Sequence, residues 1–198
     1  LPSPLDIEEM KGTLVRSEEE VTCPNDDKAP MAGLIFKLAA DPYIGHLSFF
    51  RIYSGYVEPG MSVLNSKTGK TERIGRIVRM HSNKREEIKW AGAGDIVALV
   101  GLKNVGTGDT LCDAKKVIKL APVKFAEPCY SRAIAPKTRG QEEKIGTGLN
   151  RLNEEDPSFS LVNNAETKQL VLSGTGDQQL DVLVSKLKSR FGVDAVLS

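Results

Sequence analysis

Two histidines, three cysteines and a single tryptophan in 198 residues leave little of the material that enzymes and metalloproteins draw on. His46 and His81 are separated by a strand and a hairpin, so a catalytic triad or a metal cluster has little to draw on. Cys23, Cys112 and Cys129 are odd in number and lack C-x-x-C spacing, which argues against a disulfide framework and a zinc site and fits a reducing, cytoplasmic setting. No apolar run approaches the roughly 18 residues of a membrane span, and the acidic beginning is unlike a signal peptide. Gly69-Lys70-Thr71 lacks the glycine that a phosphate-binding loop needs five residues earlier, where Leu64 stands. Ser173-Gly174-Thr175-Gly176 could cradle an anion at a helix start, although capping explains it. Glu86-Glu87, Glu142-Glu143 and Glu154-Glu155 read as solvated surface pairs. The first residue is Leu1, which fits a piece of a longer protein.

What is present is a lopsided charge distribution. The net charge of +1 hides 3 basic and 8 acidic residues over 1–29, 14 and 8 over 30–120, and 10 and 10 over the remainder. Within the middle block, Lys70, Arg73, Arg76, Arg79, Lys84, Arg85 and Lys89 stand against Glu72, Glu86 and Glu87. A ribbon of this kind attracts phosphate by counterion release. From the residues alone it reads equally as a solvated face.

Residues 1–29 show prolines and acidic clusters without a period, and read as a connector wrapped on a surface or partly disordered. From 30 to 120, short runs rich in β-branched and aromatic residues alternate with Gly, Pro and Asp turns, which predicts a small closed β-barrel. Its strands are expected at 33–39, 45–53, 62–65, 73–80, 96–102 and 110–112. The fourth alternates badly, because Arg76 shares a face with Ile74 and Val78, and a bulge or a wet end is expected there. From 121 to 198 the pattern predicts a ferredoxin-like βαββαβ domain. A capping box at Thr138-Arg139-Gly140-Gln141 is expected to open the first helix, with Ile145, Leu149 and Leu152 on its apolar face. A second box, Thr175-Gly176-Asp177-Gln178, precedes a helix bearing Leu180, Leu183, Val184, Leu187 and Phe191.

The ordered set of motifs closely resembles translation elongation factor G along essentially the whole chain. Leu1-Pro2-Ser3-Pro4-Leu5-Asp6 resembles the segment that leaves the GTP-binding domain of that family. Asp41-Pro42-Tyr43-Ile44-Gly45, Arg51-Ile52-Tyr53-Ser54-Gly55, Arg79-Met80-His81, Ala93-Gly94-Asp95-Ile96 and Gly108-Asp109-Thr110-Leu111 resemble its second domain. Ala135-Pro136-Lys137-Thr138, Leu152-Asn153-Glu154-Glu155-Asp156-Pro157 and Ser173-Gly174-Thr175-Gly176 resemble its third. The resemblance implies a multi-domain β and α+β chain, with a translation-factor-type barrel followed by the ferredoxin-like module. It also implies a parent GTPase, using GTP and magnesium, that drives tRNA and messenger movement on the ribosome. This sequence has no P-loop and no Asn-Lys-x-Asp guanine motif, so the fragment is expected to need no cofactor and to have no enzymatic activity of its own.

The implied partners are the ribosome, with its small-subunit rRNA and small-subunit protein S12, and the GTP-binding domain of the full-length protein. No membrane partner is implied, and the excised fragment is expected to be monomeric. Candidate RNA-binding residues are Arg73, Arg76, Arg79, His81, Lys84, Arg85, Lys137 and Arg139. In the family the second helix of the third domain lines the fusidic acid pocket; here Gln179 stands where the family usually has histidine, and Lys186 where it commonly has arginine. The loss of the imidazole fits a divergent second copy of the factor. Competing expectations are a ribosome-protection or ribosome-recycling factor of the same family, and an internal protein-interaction platform in which the ribbon is merely solvated.

Overall fold

The computed structural model describes residues 2–41, 45–82, 84–138 and 140–198, with the side chains of 40 and 41 excepted. The motif residues Pro42, Tyr43 and Ile44, together with Asn83 and Arg139, lie outside the described residues. The chain forms two compact units, 1–123 and 124–198.

In the first unit the strands are β1 (Met10–Leu14), β2 (Glu20–Cys23), β3 (Ala32–Asp41), β4 (Gly45–Ser54), β5 (Ser62–Asn65) and β6 (Thr71–Arg73). They continue as β7 (Arg76–His81), β8 (Lys84–Ile88), β9 (Ile96–Val100), β10 (Thr110–Cys112) and β11 (Ile118–Leu120). Eight of them build one antiparallel sheet in the order β6-β5-β10-β3-β4-β9-β7-β8. The sheet curls because β6 and β7, far apart in that order, are separated in the chain by only Ile74 and Gly75. At the bend, Ile74 donates its N–H to the Met61 carbonyl at 2.8 Å and accepts from Gly60 N–H at 2.7 Å. The poor alternation of 73–80 is therefore a break between two strands.

Alternate residues fill the interior: Ile35, Phe50, Ile52, Val63, Ile74, Ile77, Val97, Leu99 and Leu111 form one core. Each fully buried aliphatic or aromatic side chain contributes about 1.5–3 kcal/mol. β9 is apolar on both faces, as expected. Val97 and Leu99 point inward, while Ala98 and Val100 join Leu47 and Val78 in a second cluster on the outer side, flanked by Phe49 and Met80.

Residues 1–29 depart from the connector expectation. β1 pairs with β2 and with β11 in a three-stranded sheet. Met10, Leu14, Val21, Cys23, Ile118 and Leu120 pack there against Ala32, Leu34 and Tyr53. The strands are short, and one partner lies about a hundred residues away in the chain, so local periodicity carries almost no signal for them.

The second unit runs β12 (Tyr130–Pro136), α1 (Glu142–Glu155), β13 (Ser160–Asn164), β14 (Gln169–Gly174), α2 (Asp177–Phe191) and β15 (Ala195–Leu197). Its sheet order, β13-β14-β12-β15, is the ferredoxin-like split arrangement. Ile145, Leu149 and Leu152 of α1 and Leu180, Leu183 and Leu187 of α2 pack on Ile134, Leu172 and Ala195 of the sheet. Gly148 is placed by packing: a Cβ there would stand 2.7 Å from Leu187 Cδ2 and 3.3 Å from the Phe191 ring.

Neither helix start is a capping box. α1 begins at Glu142 behind Gln141, without a side-chain cap, because Gly140 turns the chain at φ +85° and cannot belong to the helix. α2 follows Gly176, also without a side-chain cap, and Gln179 takes over the reaching-back role expected of Gln178. α2 ends on Gly192 at φ +66°, whose N–H returns to the helix carbonyls.

Candidate nucleic-acid interface

Register decides what the basic ribbon can do. β7 and β8 pair as Ile77 with Ile88, Val78 with Glu87, Arg79 with Glu86, Met80 with Arg85 and His81 with Lys84. Side chains alternate between faces along a strand, so the cations expected as one ribbon are divided between two faces. Arg76, Val78 and Met80 share the outer face with Arg85 and Glu87. Ile77, Arg79 and His81 share the other with Lys84, Glu86 and Ile88. Arg76, Arg79, His81, Lys84 and Arg85 are all exposed. Arg79 stands directly across from a carboxylate, whereas Arg85 stands across from Met80, and Arg76 across from Val100 of β9.

Arg73, on β6 before the bend, is exposed and leans toward Gly60. Its neighbour Glu72 does not neutralise the ribbon. The Glu72 side chain is 5% exposed and accepts from Lys103 N–H at 3.1 Å, Asn104 N–H at 3.1 Å and Asn104 Nδ2 at 2.8 Å. Burial pushes its carboxyl upward, but the hydrogen bonds from Asn104 and from the Lys103 N–H outweigh it, and the net shift is downward. Beside it, Asp109 accepts from Asn65 Nδ2 at 2.9 Å and Gly106 N–H at 2.8 Å, and lies 3.2 Å from Lys67 Nζ. These two carboxylates pin the 101–109 loop to β5 and β6.

The outer face carries a cation that the sequence reasoning missed. A β-bulge between Ile35 and Lys37 shifts the phase of β3, so that Lys37 pairs with Phe49. Its ammonium lies 5.6 Å from the Phe49 ring centroid, and Phe36 packs on the same ring at 6.3 Å. Ile35 and Leu38 both belong to the interior core, and Lys37 is exposed between them. A strictly alternating strand would have put the lysine inside. Arg51, further along β4, stacks on Tyr53 at 5.1 Å and lines a small cleft with Glu8 and Glu9.

In the second unit Lys137 is exposed at the end of β12, where its N–H donates to the Asp194 carbonyl at 2.9 Å. Gln179 is part-buried and uses both ends of its amide. Oε1 accepts from Thr175 N–H at 2.7 Å and from the Thr175 hydroxyl at 3.1 Å; Nε2 donates to Ser158 Oγ at 2.7 Å. It thus ties the turn before α2 to the turn after α1. Lys186 sits part-buried two turns further on. A cavity of about 490 Å³ lined by Ile134, Pro136, Ile145, Gly146 and Leu170 takes in neither residue.

Among the described residues no group of three or more His, Cys, Asp or Glu side chains is placed to hold a metal ion, and no helix is long and apolar enough to cross a membrane. Exposed arginine and lysine over an apolar floor can position polyanions.

Two family models match the chain, each covering one module: Elongation factor G domain 2 over residues 30–114, and Elongation Factor G, domain III, over residues 125–198. A crystal structure of a protein from Thermus thermophilus superposes with a TM-score of 0.72 at 27% sequence identity, covering 86% of this chain. The chain spans 26% of the length of that structure.

Proposed function

Because the chain belongs to the elongation factor G family and carries its second and third domains, we propose that it is the part of a ribosomal translocase that docks on the small subunit. In this reading the barrel seats on small-subunit rRNA through the cations of β7 and β8. The ferredoxin-like module relays the nucleotide state between a GTP-binding domain and protein S12. Translocation here is positioning and rigid-body coupling: phosphate contacts fix register, and bond chemistry belongs to the GTP-binding domain. The observation that supports the reading most is the exposure of Arg73, Arg76, Arg79, Lys84 and Arg85 in one continuous stretch of the barrel domain. An internal platform calls for Arg73, Arg76 and Arg79 packed against acidic side chains, and only Arg79 has a carboxylate directly across the ladder.

The test is binding of the chain to purified small ribosomal subunits from 50 to 200 mM salt. The logarithm of the affinity is expected to fall linearly with that of the salt concentration. Replacing Arg73, Arg76, Arg79, Lys84 and Arg85 together by glutamine is expected to abolish most of that dependence. Salt-independent binding, or binding unaltered by the replacement, rejects RNA docking through the ribbon.

A further inference from the structure

We infer that Ser17, at the tip of the hairpin joining β1 and β2, is a phosphorylation site for an acid-directed serine kinase, and that a cleft lined by Arg16, Lys115 and Lys116 receives the phosphate. The inference is independent of RNA docking, because none of these residues belongs to the basic ribbon.

Ser17 is followed by Glu18, Glu19 and Glu20, and no other serine or threonine of the chain has carboxylates at all three following positions. Ser3 comes nearest, with Asp6 three residues on, but both are taken up locally. Asp6 accepts from Ser3 N–H at 2.7 Å, and Ser3 Oγ accepts from Leu5 N–H at 3.2 Å. A run of carboxylates directly after a hydroxyl is a charge pattern that a kinase with a basic substrate groove selects. The Ser-x-x-Glu spacing also suits a helix cap, but here it spans a hairpin turn. Leu14 N–H donates to the Glu19 carbonyl and Glu18 N–H to the Leu14 carbonyl, both at 2.9 Å, and Glu18 takes φ +57°. Ser17, Glu18 and Glu19 are exposed, and Ser17 Oγ makes no hydrogen bond among the described residues. A hydroxyl on an exposed loop tip can enter an enzyme cleft without unfolding of the strands that carry it.

The turn sorts its charges between two cavities. Arg16 and Ser17 line a cleft of about 590 Å³ together with Lys115 and Lys116, and no carboxylate lines it. Glu18 and Glu20 line a different cavity, and Glu20 is paired there with Lys11 at 3.0 Å. Arg16, Lys115 and Lys116 form no ion pair among the described residues. The neighbouring Asp113 is turned into its own loop, where Oδ1 accepts from Lys115 N–H at 2.8 Å. Val15 N–H donates to the Val117 carbonyl at 3.1 Å, which holds the hairpin tip against the loop that carries the two lysines. A phosphoserine brings a charge of about −1.5 to −2 and three acceptor oxygens. On the Arg16 side of the turn that group meets three unpaired cations; on the Glu18 side it meets carboxylates. The phosphate therefore fastens the turn to the 113–117 loop.

In the transfer, Ser17 Oγ bonds to the γ-phosphorus of ATP, and the bond from that phosphorus to the bridging oxygen breaks with its electron pair leaving on ADP. The hydroxyl proton passes to a base of the kinase. The test treats the chain with ATP, magnesium and a purified serine kinase of the casein-kinase class, and maps the product by mass spectrometry. A single phosphate is expected, on Ser17. It is expected to be absent in Ser17→Ala and to form about tenfold more slowly when Glu18, Glu19 and Glu20 are replaced together by glutamine. By phosphorus NMR the phosphoserine is expected to titrate roughly half a unit below its usual value of about 6, because neighbouring cations favour the dianion. Hydrogen exchange of the Val15 amide is expected to slow several-fold. Replacing Arg16, Lys115 and Lys116 together by glutamine is expected to restore ordinary titration and exchange while Ser17 is still modified, with circular dichroism verifying the fold. No phosphorylation, or phosphorylation of another residue, overturns the site. A phosphoserine that titrates at its usual value, with or without the cations, overturns the cleft as its receiver. Inorganic phosphate added to the unmodified chain is expected to leave Val15 exchange unchanged; protection equal to that of the ester makes the cleft a site for free phosphate and overturns the proposal.

Discussion

Removing the acceptor at Glu72 is expected to loosen the 101–109 loop and destabilise the barrel unit. The buried carboxylate receives three hydrogen bonds, from Lys103 N–H, Asn104 N–H and Asn104 Nδ2. Bonds to a charged acceptor contribute about 1.5–3 kcal/mol each when measured singly, but they share one desolvation cost and do not add. Lys103 and Asn104 are themselves exposed, so water can take over part of what the carboxylate satisfies. The expected cost is therefore about 2–4 kcal/mol for Glu72→Ala and about 1–2 kcal/mol for Glu72→Gln, which keeps one carbonyl acceptor.

Urea unfolding followed by Trp90 fluorescence suits the measurement. Trp90 is the only tryptophan of the chain, lies in the barrel unit and is stacked on Tyr56. With a slope of about 1–3 kcal/mol per M, the alanine variant is expected to unfold about 0.7–4 M earlier. The effect has a pH signature. A carboxyl whose folded pKa lies below its unfolded value contributes fully above the unfolded value, about 4.3, and loses that contribution as the pH falls through the folded one. The gap between the wild type and Glu72→Gln is thus expected to be open at pH 7 and to close in acid. If Glu72→Gln lies within about 0.5 kcal/mol of wild type at pH 7, with unchanged exchange protection of the Lys103 and Asn104 amides, the network does not hold the loop.

The two α1 glycines should respond oppositely to alanine. Gly146→Ala meets no atom within 4 Å and is expected to stabilise by up to about 1 kcal/mol through helix propensity, whereas Gly148→Ala drives a methyl into buried Leu187 and is expected to destabilise by about 1–2 kcal/mol net in thermal melts. Gln179→Ala is expected to cost about 1–3 kcal/mol and to speed exchange of the Thr175 amide, since the hydrogen bonds to Thr175, Ser158 and Asp156 lose their partner. Gln179→His is expected to make stability vary with pH near about 6.5, a dependence that the amide does not have. Of the three thiols, Cys129 is exposed, while Cys23 and Cys112 are buried and burial pushes both their pKa values up; alkylation of the native protein at pH 8 is expected to modify one thiol, and of the unfolded protein all three, by mass spectrometry.

Both architectures were legible where short-range patterns are strong. β5 and β10 fall at their expected residues, and α2 shows its apolar face because Leu180, Leu183 and Leu187 repeat with the helical period. Elements whose stability comes from distant partners were not legible: β1 and β2 acquire their burial from β11. β8 has charges at four of its five positions and shows no alternation; it is a strand because β7 lies beside it, after a turn in which Ser82 takes φ +55°. At the candidate interface the sequence supplied the cations but not their faces. The bulge at Phe36 moves Lys37 from the interior phase to the exterior, and no composition or period announces a bulge.

The bend between β6 and β7 curls the sheet back toward itself and leaves β8 as its last strand. An edge strand offers unpaired N–H and C=O groups to any extended segment that drifts against it, including the same strand of a second molecule. Lys84, Arg85, Glu86 and Glu87 occupy that edge in succession. A second β8 approaching edge to edge has to desolvate four charges per chain to gain its backbone bonds, which makes the margin a poor template for growth. Lys84 and Arg85, which the proposed docking would use, are thereby also expected to act as gatekeepers against aggregation, so neutralising them for a binding experiment is expected to lower the concentration at which the protein stays monomeric.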